Sequence, residues 1–178
     1  AATEHITSAI IEAKVYVAGE AVSVRASSVK DKIETALSEL VDSVYTKLGY
    51  IKHNFVDDNE LTRILSNQNV QMTVGGGVDV YNPEAVEEIE QYLQMQETKM
   101  LPTSMGDIQR RFSAIPYGWR EIDIAAAICS LISIQKVSVS YGGNVIQPTD
   151  KRIPDYLRRR TEIDRTLVSR RIAISDDL

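Results

Sequence analysis

The sequence predicts an α+β fold that is mainly α-helical. Apolar residues recur at helical spacing through most of the chain, whereas two short segments alternate apolar and polar residues as strands do. The 178 residues are 43% hydrophobic and 25% charged, with both signs interspersed. Such a composition is typical of a chain that buries a core and not of a disordered one. The length suits one large domain or two small ones.

The first part of the chain predicts a hairpin followed by a long helix. A short helical pattern leads into valines that alternate on both sides of residues 18–20, which predicts a hairpin. Ser27 and Ser28 are candidate N-caps of the long helix, and Gly49 is placed to end it. One face of this helix is apolar and carries Ile33, Ala36, Leu37, Leu40, Val41, Val44, Tyr45 and Leu48.

Two shorter segments follow. Residues 57–65 predict a helix that begins at Asp57 or Asp58, because an aspartate at this position caps free backbone N–H groups. Residues 68–79 contain Gly75-Gly76-Gly77 and predict a loop.

Three helices and a second hairpin complete the central part. Pro83 suits the first turn of a helix capped by Asn82 that runs to about residue 99, and Ser104 with Asp107 forms a capping box that opens a short helix to about residue 112. A nearly apolar helix follows over 121–134. Residues 136–140 and 144–147 then predict two strands joined at Gly142-Gly143. This order, over residues 83–147, is that of a winged helix-turn-helix.

The charge pattern divides the chain. Residues 151–171 carry a net charge of +5, whereas residues 1–150 carry −8. We therefore expect three regions: an N-terminal hairpin and helical region (1–80), a winged-helix-like domain (81–150) and a basic C-terminal helix or tail (151–178), with the helix running from Asp155 to about Arg171. An acidic body with a basic end favours an interaction tail over a uniformly basic nucleic-acid binder.

No pattern of catalytic residues is present. Gly75-Gly76-Gly77 lacks the lysine and helix of a P-loop, and no Ser-His-Asp context appears. His5 and His53 are isolated, and Cys129 is the single cysteine, so neither a metal site nor a disulfide within the chain is expected. We expect no cofactor and no enzyme activity in this chain.

The compartment is expected to be the cytoplasm. No segment has the features of a signal peptide, and the apolar run over 122–134 is too short to cross a membrane. The chain begins without methionine, and we interpret it as a fragment of a longer protein.

Nucleic acid is the main alternative to a protein partner. A recognition helix presents polar and basic residues to the major groove, but the helix over 121–134 is nearly all apolar and has Glu121 and Asp123 at its start. The basic end is the better candidate. The proposed nucleic-acid contacts are Arg158, Arg159, Arg160, Arg165, Arg170 and Arg171, with Lys136 and Asn144 on the wing. The competing interpretation is a solvated helix face paired with the acidic body.

The most distinctive text in the chain is FSAIPYGW at residues 112–119, followed by EIDIA at 121–125 and the hairpin over 136–144. This segment resembles the PYGW region of the large P-loop proteins of BREX phage-resistance systems, the BrxC/PglY group, where it lies well downstream of the nucleotide-binding motif. The hairpin near residues 16–20 with its long helix, and the basic end from Asp155, are similar to the same region. Pro116, Tyr117, Gly118 and Trp119 are interpreted as a structural turn, anchored by the two aromatic side chains against the following helix.

The resemblance implies a parent that is a large AAA-type ATPase acting with other BREX proteins against phage DNA. This sequence has no Walker A lysine, so ATP binding maps onto none of its residues. We therefore predict a non-catalytic interaction module that contacts other BREX-type proteins or other regions of the parent chain. The alternatives are a winged helix that binds double-stranded DNA directly and a structural or oligomerisation spacer.

Overall fold

The protein is described by a computed structural model that covers residues 2–66, 71–72 and 78–171. The chain divides into two compact units, residues 1–48 and residues 49–178. We refer to them as unit 1 and unit 2. The predicted glycine loop at residues 75–77 lies outside the described residues.

Unit 1 contains the predicted hairpin and long helix. Helix α1 (Ala2–Glu12) is followed by strands β1 (Val15–Val17) and β2 (Glu20–Val22), which pair antiparallel, and by helix α2 (Val29–Val44). The Ser28 hydroxyl accepts the Asp31 N–H and caps α2, as predicted. The predicted end at Gly49 was wrong, because α2 stops at Val44 and a separate 3₁₀ turn occupies Leu48–Tyr50.

Unit 2 is built on helices with one small sheet. Its elements in chain order are α3 (Asp58–Leu65), β3 (Gln71–Met72), β4 (Val78–Asp79), α4 (Pro83–Thr98), α5 (Met105–Ser113), α6 (Glu121–Ser133), β5 (Val137–Tyr141), β6 (Asn144–Ile146), α7 (Ile153–Arg158) and β7 (Thr166–Arg170). The predicted fold class is therefore confirmed. Strands β3 and β4 pair antiparallel, so the prediction of a loop throughout 68–79 was wrong at its described residues.

Local capping explains where several helices begin. Asp57 accepts the N–H groups of Asn59 and Glu60 and starts α3. Ser104 and Asp107 form the predicted capping box at the start of α5. Asn82 stands before α4, but its side chain makes no capping bond there. Instead it holds residues 52–53, accepting both of their N–H groups and donating to the carbonyl of His53.

The C-terminal helix predicted over 155–171 was wrong. Helix α7 ends at Arg158, and the chain returns as β7, which pairs antiparallel with β5 to give the strand order β6-β5-β7. The side chains of β7 alternate, with Thr166 and Val168 buried and Leu167 and Ser169 exposed. The alternating burial follows from the pairing with β5, whereas the arginines of this segment are good helix formers and suggested a helix.

Helix α6 is the centre of unit 2. Eleven of its thirteen residues are buried. It packs against α3, α4, α5 and α7 as well as against β5. A helix that is apolar on all sides is stable only inside a core, which is where the fold places it.

Candidate interaction surfaces

The first candidate surface is α6, which occupies the sequence position of a recognition helix. Helices α3 and α7 cover it in addition to α4 and α5. Leu61 and Ile64 of α3 and Leu157 of α7 are buried. The apolar residues of α6 therefore complete a core, and its described surface offers no row of polar side chains to a DNA groove.

The two acidic residues at the start of α6 differ in burial. Glu121 is exposed, whereas Asp123 is buried. The Asp123 carboxylate accepts the N–H of Phe55 at 3.0 Å and two bonds from the Arg120 guanidinium at 2.7 and 2.9 Å. Arg120 also donates to the carbonyl of Phe55 at 2.9 Å and has a raised pKa because of its bond to Asp123. Asp123 thus fastens the segment before α3 to α6.

The second candidate surface is the set of predicted basic contacts, and several of these are already paired. Arg158 is bonded to Asp58 of α3, Arg159 to Asp155 at 2.8 Å and Arg170 to Glu97 of α4 at 2.9 Å. Lys136 lies 2.6 Å from Glu90, also on α4. Arg158, Arg170 and Lys136 thus tie the C-terminal segment and the wing to α3 and α4, whereas the Arg159 pair is local to the C-terminal segment.

Another predicted contact, Arg165, lies beside the last residue of β5, next to the wing turn. The Arg165 guanidinium lies 5.0 Å from the centre of the Tyr141 ring, which stacks on Tyr156 at 4.8 Å. The Arg152 guanidinium lies 5.3 Å from the centre of the Tyr156 ring. We call these four residues the wing-tip stack. The hydroxyl of Tyr141 donates to Glu162, and this bond raises the pKa of Tyr141.

Three further predicted contacts are also exposed: Arg160, Arg171 and, beside the wing turn, Asn144. Arg160 and Arg171 form no ion pair with a residue that the structure describes. Of the predicted cations, these two have neither an ion pair nor an aromatic contact with a described residue, so they are available to an external phosphate.

The structure places the PYGW residues as a packed turn. Gly118 has a φ of +65°, a conformation that favours glycine. The ring of Trp119 stacks on Phe112 of α5 at 5.0 Å and meets Tyr117 at 4.9 Å, while Pro116 lies before them, partly exposed. These aromatic contacts are with the preceding helix α5, whereas the sequence had suggested the following one.

Sequence reasoning missed a polar cluster at the start of α5. Arg110 bonds both Asp107 and Asp164, and the N–H of Gly106 donates to the carbonyl of Ile163 at 3.1 Å. The hydroxyl of Ser104 lowers the pKa of Asp107, with help from the guanidinium. A Cβ atom at Gly106 would lie 2.0 Å from an oxygen of Asp164, so glycine allows this close approach. No sequence signal links residues so far apart.

The described part of the chain shows no cluster of metal-binding side chains, and no described helix is long and apolar enough to span a membrane. Cys129 is buried in α6, and burial raises the pKa of its thiol. A thiol with a raised pKa is a poor nucleophile.

A model of the winged helix-turn-helix domain of the BREX ATP-binding protein BrxC matches residues 47–172. The chain belongs to this BrxC winged-helix family. The resemblance stated from the PYGW segment is thereby confirmed. The match begins close to the boundary between the two units and includes α3 and β7 together with the elements between them. No solved structure matches the chain.

Proposed function

We propose that unit 2 is a protein-contacting module of a BrxC-type ATPase in BREX phage defence. It joins the ATPase to partner proteins or to other regions of the parent chain and performs no catalysis itself. The burial of α6 carries this proposal. A winged helix that reads bases needs its recognition helix exposed along one side, and α6 is enclosed by four other helices and a strand.

The charges of unit 2 support the same conclusion. Arg158, Arg170 and Lys136 form ion pairs with carboxylates of α3 and α4. Binding to DNA would require these cations to exchange carboxylates for phosphates, which removes part of the electrostatic gain. A partner protein needs no such exchange, because protein interfaces are built mostly from apolar and neutral polar groups.

The wing-tip stack supports a second candidate function, which is direct contact with the backbone of double-stranded DNA. Arg152 lies over the ring of Tyr156 and Arg165 over the ring of Tyr141, and the exposed Arg160 lies on the segment that links α7 to β7. Guanidinium groups held in fixed positions suit phosphate recognition. Such contacts would position the protein without reading sequence.

Fluorescence anisotropy of a labelled DNA duplex across a salt series separates the two candidates. The protein-contacting function predicts binding weaker than about 100 µM at roughly 0.1 M salt, the weak limit of non-specific affinity. The DNA candidate predicts tighter, steeply salt-dependent binding that is lost when Arg160 and Arg165 become Gln. Lys14→Gln with Arg25→Gln is the control for charge, because both residues are exposed in unit 1. Our proposal would be overturned by tight DNA binding that is lost when Arg160 and Arg165 become Gln but is kept in the unit 1 control.

Co-purification supplies the positive arm of the test. The parent ATPase is isolated with the other BREX proteins, with and without residues 47–172. The proposal predicts that the shortened ATPase loses at least one partner. An unchanged set of partners would contradict a joining role for unit 2.

A further inference from the structure

Strand β7 is an outer strand of its sheet, and one part of its outer edge is open. The strand order is β6-β5-β7, so one side of β7 pairs with β5 and the other side faces outward. The N–H of Val168 points outward, because it donates to the carbonyl of Thr103 at 2.9 Å. Backbone groups alternate between the two edges of a strand, so the N–H and carbonyl of Arg170 point outward as well. The next residue, Arg171, donates on the opposite side, to the carbonyl of Lys136 at 2.8 Å.

The chain begins to pair with this outer edge and then turns away from it. Ser104 forms an antiparallel bridge with Leu167, and in this register Leu101 would lie opposite Arg170. The N–H of Leu101 is instead bonded to the carbonyl of Gln96 at 3.0 Å, in the turn that ends α4. Among the residues that the structure describes, the N–H and carbonyl of Arg170 therefore have no backbone partner.

An apolar groove lies beside this open edge. It has a volume of about 410 Å³, and Leu93, Leu101, Pro102 and Val168 are among the residues that line it. Leu101 is 52% exposed. A groove of this size falls within the range of pockets that accept ligand groups. Unpaired backbone groups and an apolar cavity thus lie side by side on unit 2.

We propose that an extended segment of a partner protein adds to β7 at Arg170 as a further strand and places an apolar side chain in the groove. An unpaired N–H and carbonyl on a strand edge are matched by another backbone, which supplies an acceptor and a donor at the same spacing. In this mode of recognition the main-chain bonds provide affinity, and pockets for alternate side chains provide specificity. The proposal rests on the protein-contacting function proposed for unit 2 and names its surface and the kind of partner.

The charges beside the groove favour a carboxylate in the partner segment. The Arg170 side chain is paired with Glu97 at 2.9 Å, whereas the exposed Arg171 forms no ion pair with a described residue. Residues that lie opposite each other in neighbouring strands share a face of the sheet. A partner residue opposite Arg170 therefore directs its side chain toward the groove, and the adjacent partner residue lies beside Arg171 on the other face. The preferred segment carries an apolar residue next to an aspartate or a glutamate.

Panning a display library of random short peptides against the whole chain tests the proposal. We expect the enriched peptides to carry an apolar residue beside a carboxylate, and a synthetic copy of one to bind the chain in fluorescence anisotropy. Arg170→Pro should weaken this binding at least about tenfold, because proline removes the outward N–H and places its ring where the added strand would pack. The sheet tolerates proline at this position, since the N–H of Arg170 does not donate to β5.

Arg170→Gln is the matched control. It removes the same ion pair with Glu97 but keeps the backbone N–H, so the affinity should change by no more than about twofold. Leu101→Glu is a second variant that leaves β7 itself unchanged. A charge in the apolar groove should weaken binding at least about tenfold, whereas Ile115→Glu, at an exposed apolar residue outside the groove, should not.

Circular dichroism establishes that each variant is folded. The proposal is overturned if panning enriches no such peptide. It is also overturned if either a folded Arg170→Pro variant or Leu101→Glu binds the peptide as the unchanged chain does. Co-purification with the parent ATPase decides the joining role separately. A partner that is lost on deletion of residues 47–172 but kept by Arg170→Pro would leave the joining role intact and contradict the β7 edge alone.

Discussion

Replacing Trp119 with alanine is expected to lower the free energy of unfolding of unit 2 by about 4 kcal/mol. Trp119 is buried, its ring lies nearly parallel to that of Phe112 at 5.0 Å, and the ring of Tyr117 packs against it edge-on at 4.9 Å. Alanine would remove the largest side chain of this cluster. The rigid turn around it could close only part of the resulting cavity.

Urea unfolding followed by circular dichroism measures this effect, since the variant has lost the only tryptophan of the chain. Ile115→Ala is the matched control, because Ile115 is an exposed apolar residue of the same turn. The control should change the free energy of unfolding by no more than about 0.5 kcal/mol. A loss below about 1 kcal/mol for Trp119→Ala would show that the turn is not a structural anchor.

Asp123→Ala should produce the second large loss, about 2 kcal/mol. The Asp123 carboxylate is buried and satisfies the N–H of Phe55, which would be left without an acceptor in the core. Arg120 contributes less to the loss, because its side chain is 53% exposed and can turn to water.

Glu121→Gln separates the buried bond from helix electrostatics. Glu121 carries the same charge at the start of the same helix but is exposed. We expect a change of about 0.5 kcal/mol at most for this control. Equal effects of the two substitutions in chemical denaturation would contradict the structural role of Asp123.

Local signals predicted those parts of the fold that residues near in sequence determine. The capping box of Ser104 and Asp107, the Ser28 cap and the two-glycine turn of the wing each depend on neighbouring residues. Their chemistry is readable without the rest of the chain. The family resemblance rested on a similarly local segment around the PYGW turn.

Tertiary contacts determine what the sequence did not disclose. Strand β7 forms because it can pair with β5, and no sequence pattern near residue 166 predicts that pairing. The bonds from Arg158 to Asp58 and from Arg170 to Glu97 join residues that are distant in sequence. The net charges of the acidic body and the basic end suggested such pairs without naming their members. The sequence also could not predict that the apolar face of α2 is exposed, because periodicity shows that a helix face is apolar but not whether another element covers it.

The central claim is that α6 is an enclosed core helix and not a helix that binds a DNA groove. Native-state hydrogen exchange of the α6 amides tests this claim most directly. The enclosure of α6 by α3 and α7 predicts that its amides exchange only when unit 2 unfolds as a whole. Their opening free energies should then equal the free energy of unfolding from urea titration. Exchange of the α6 amides through a smaller opening, in which α3 and α7 detach while α4 and α5 stay protected, would contradict the account. It would show that α6 can be uncovered for binding.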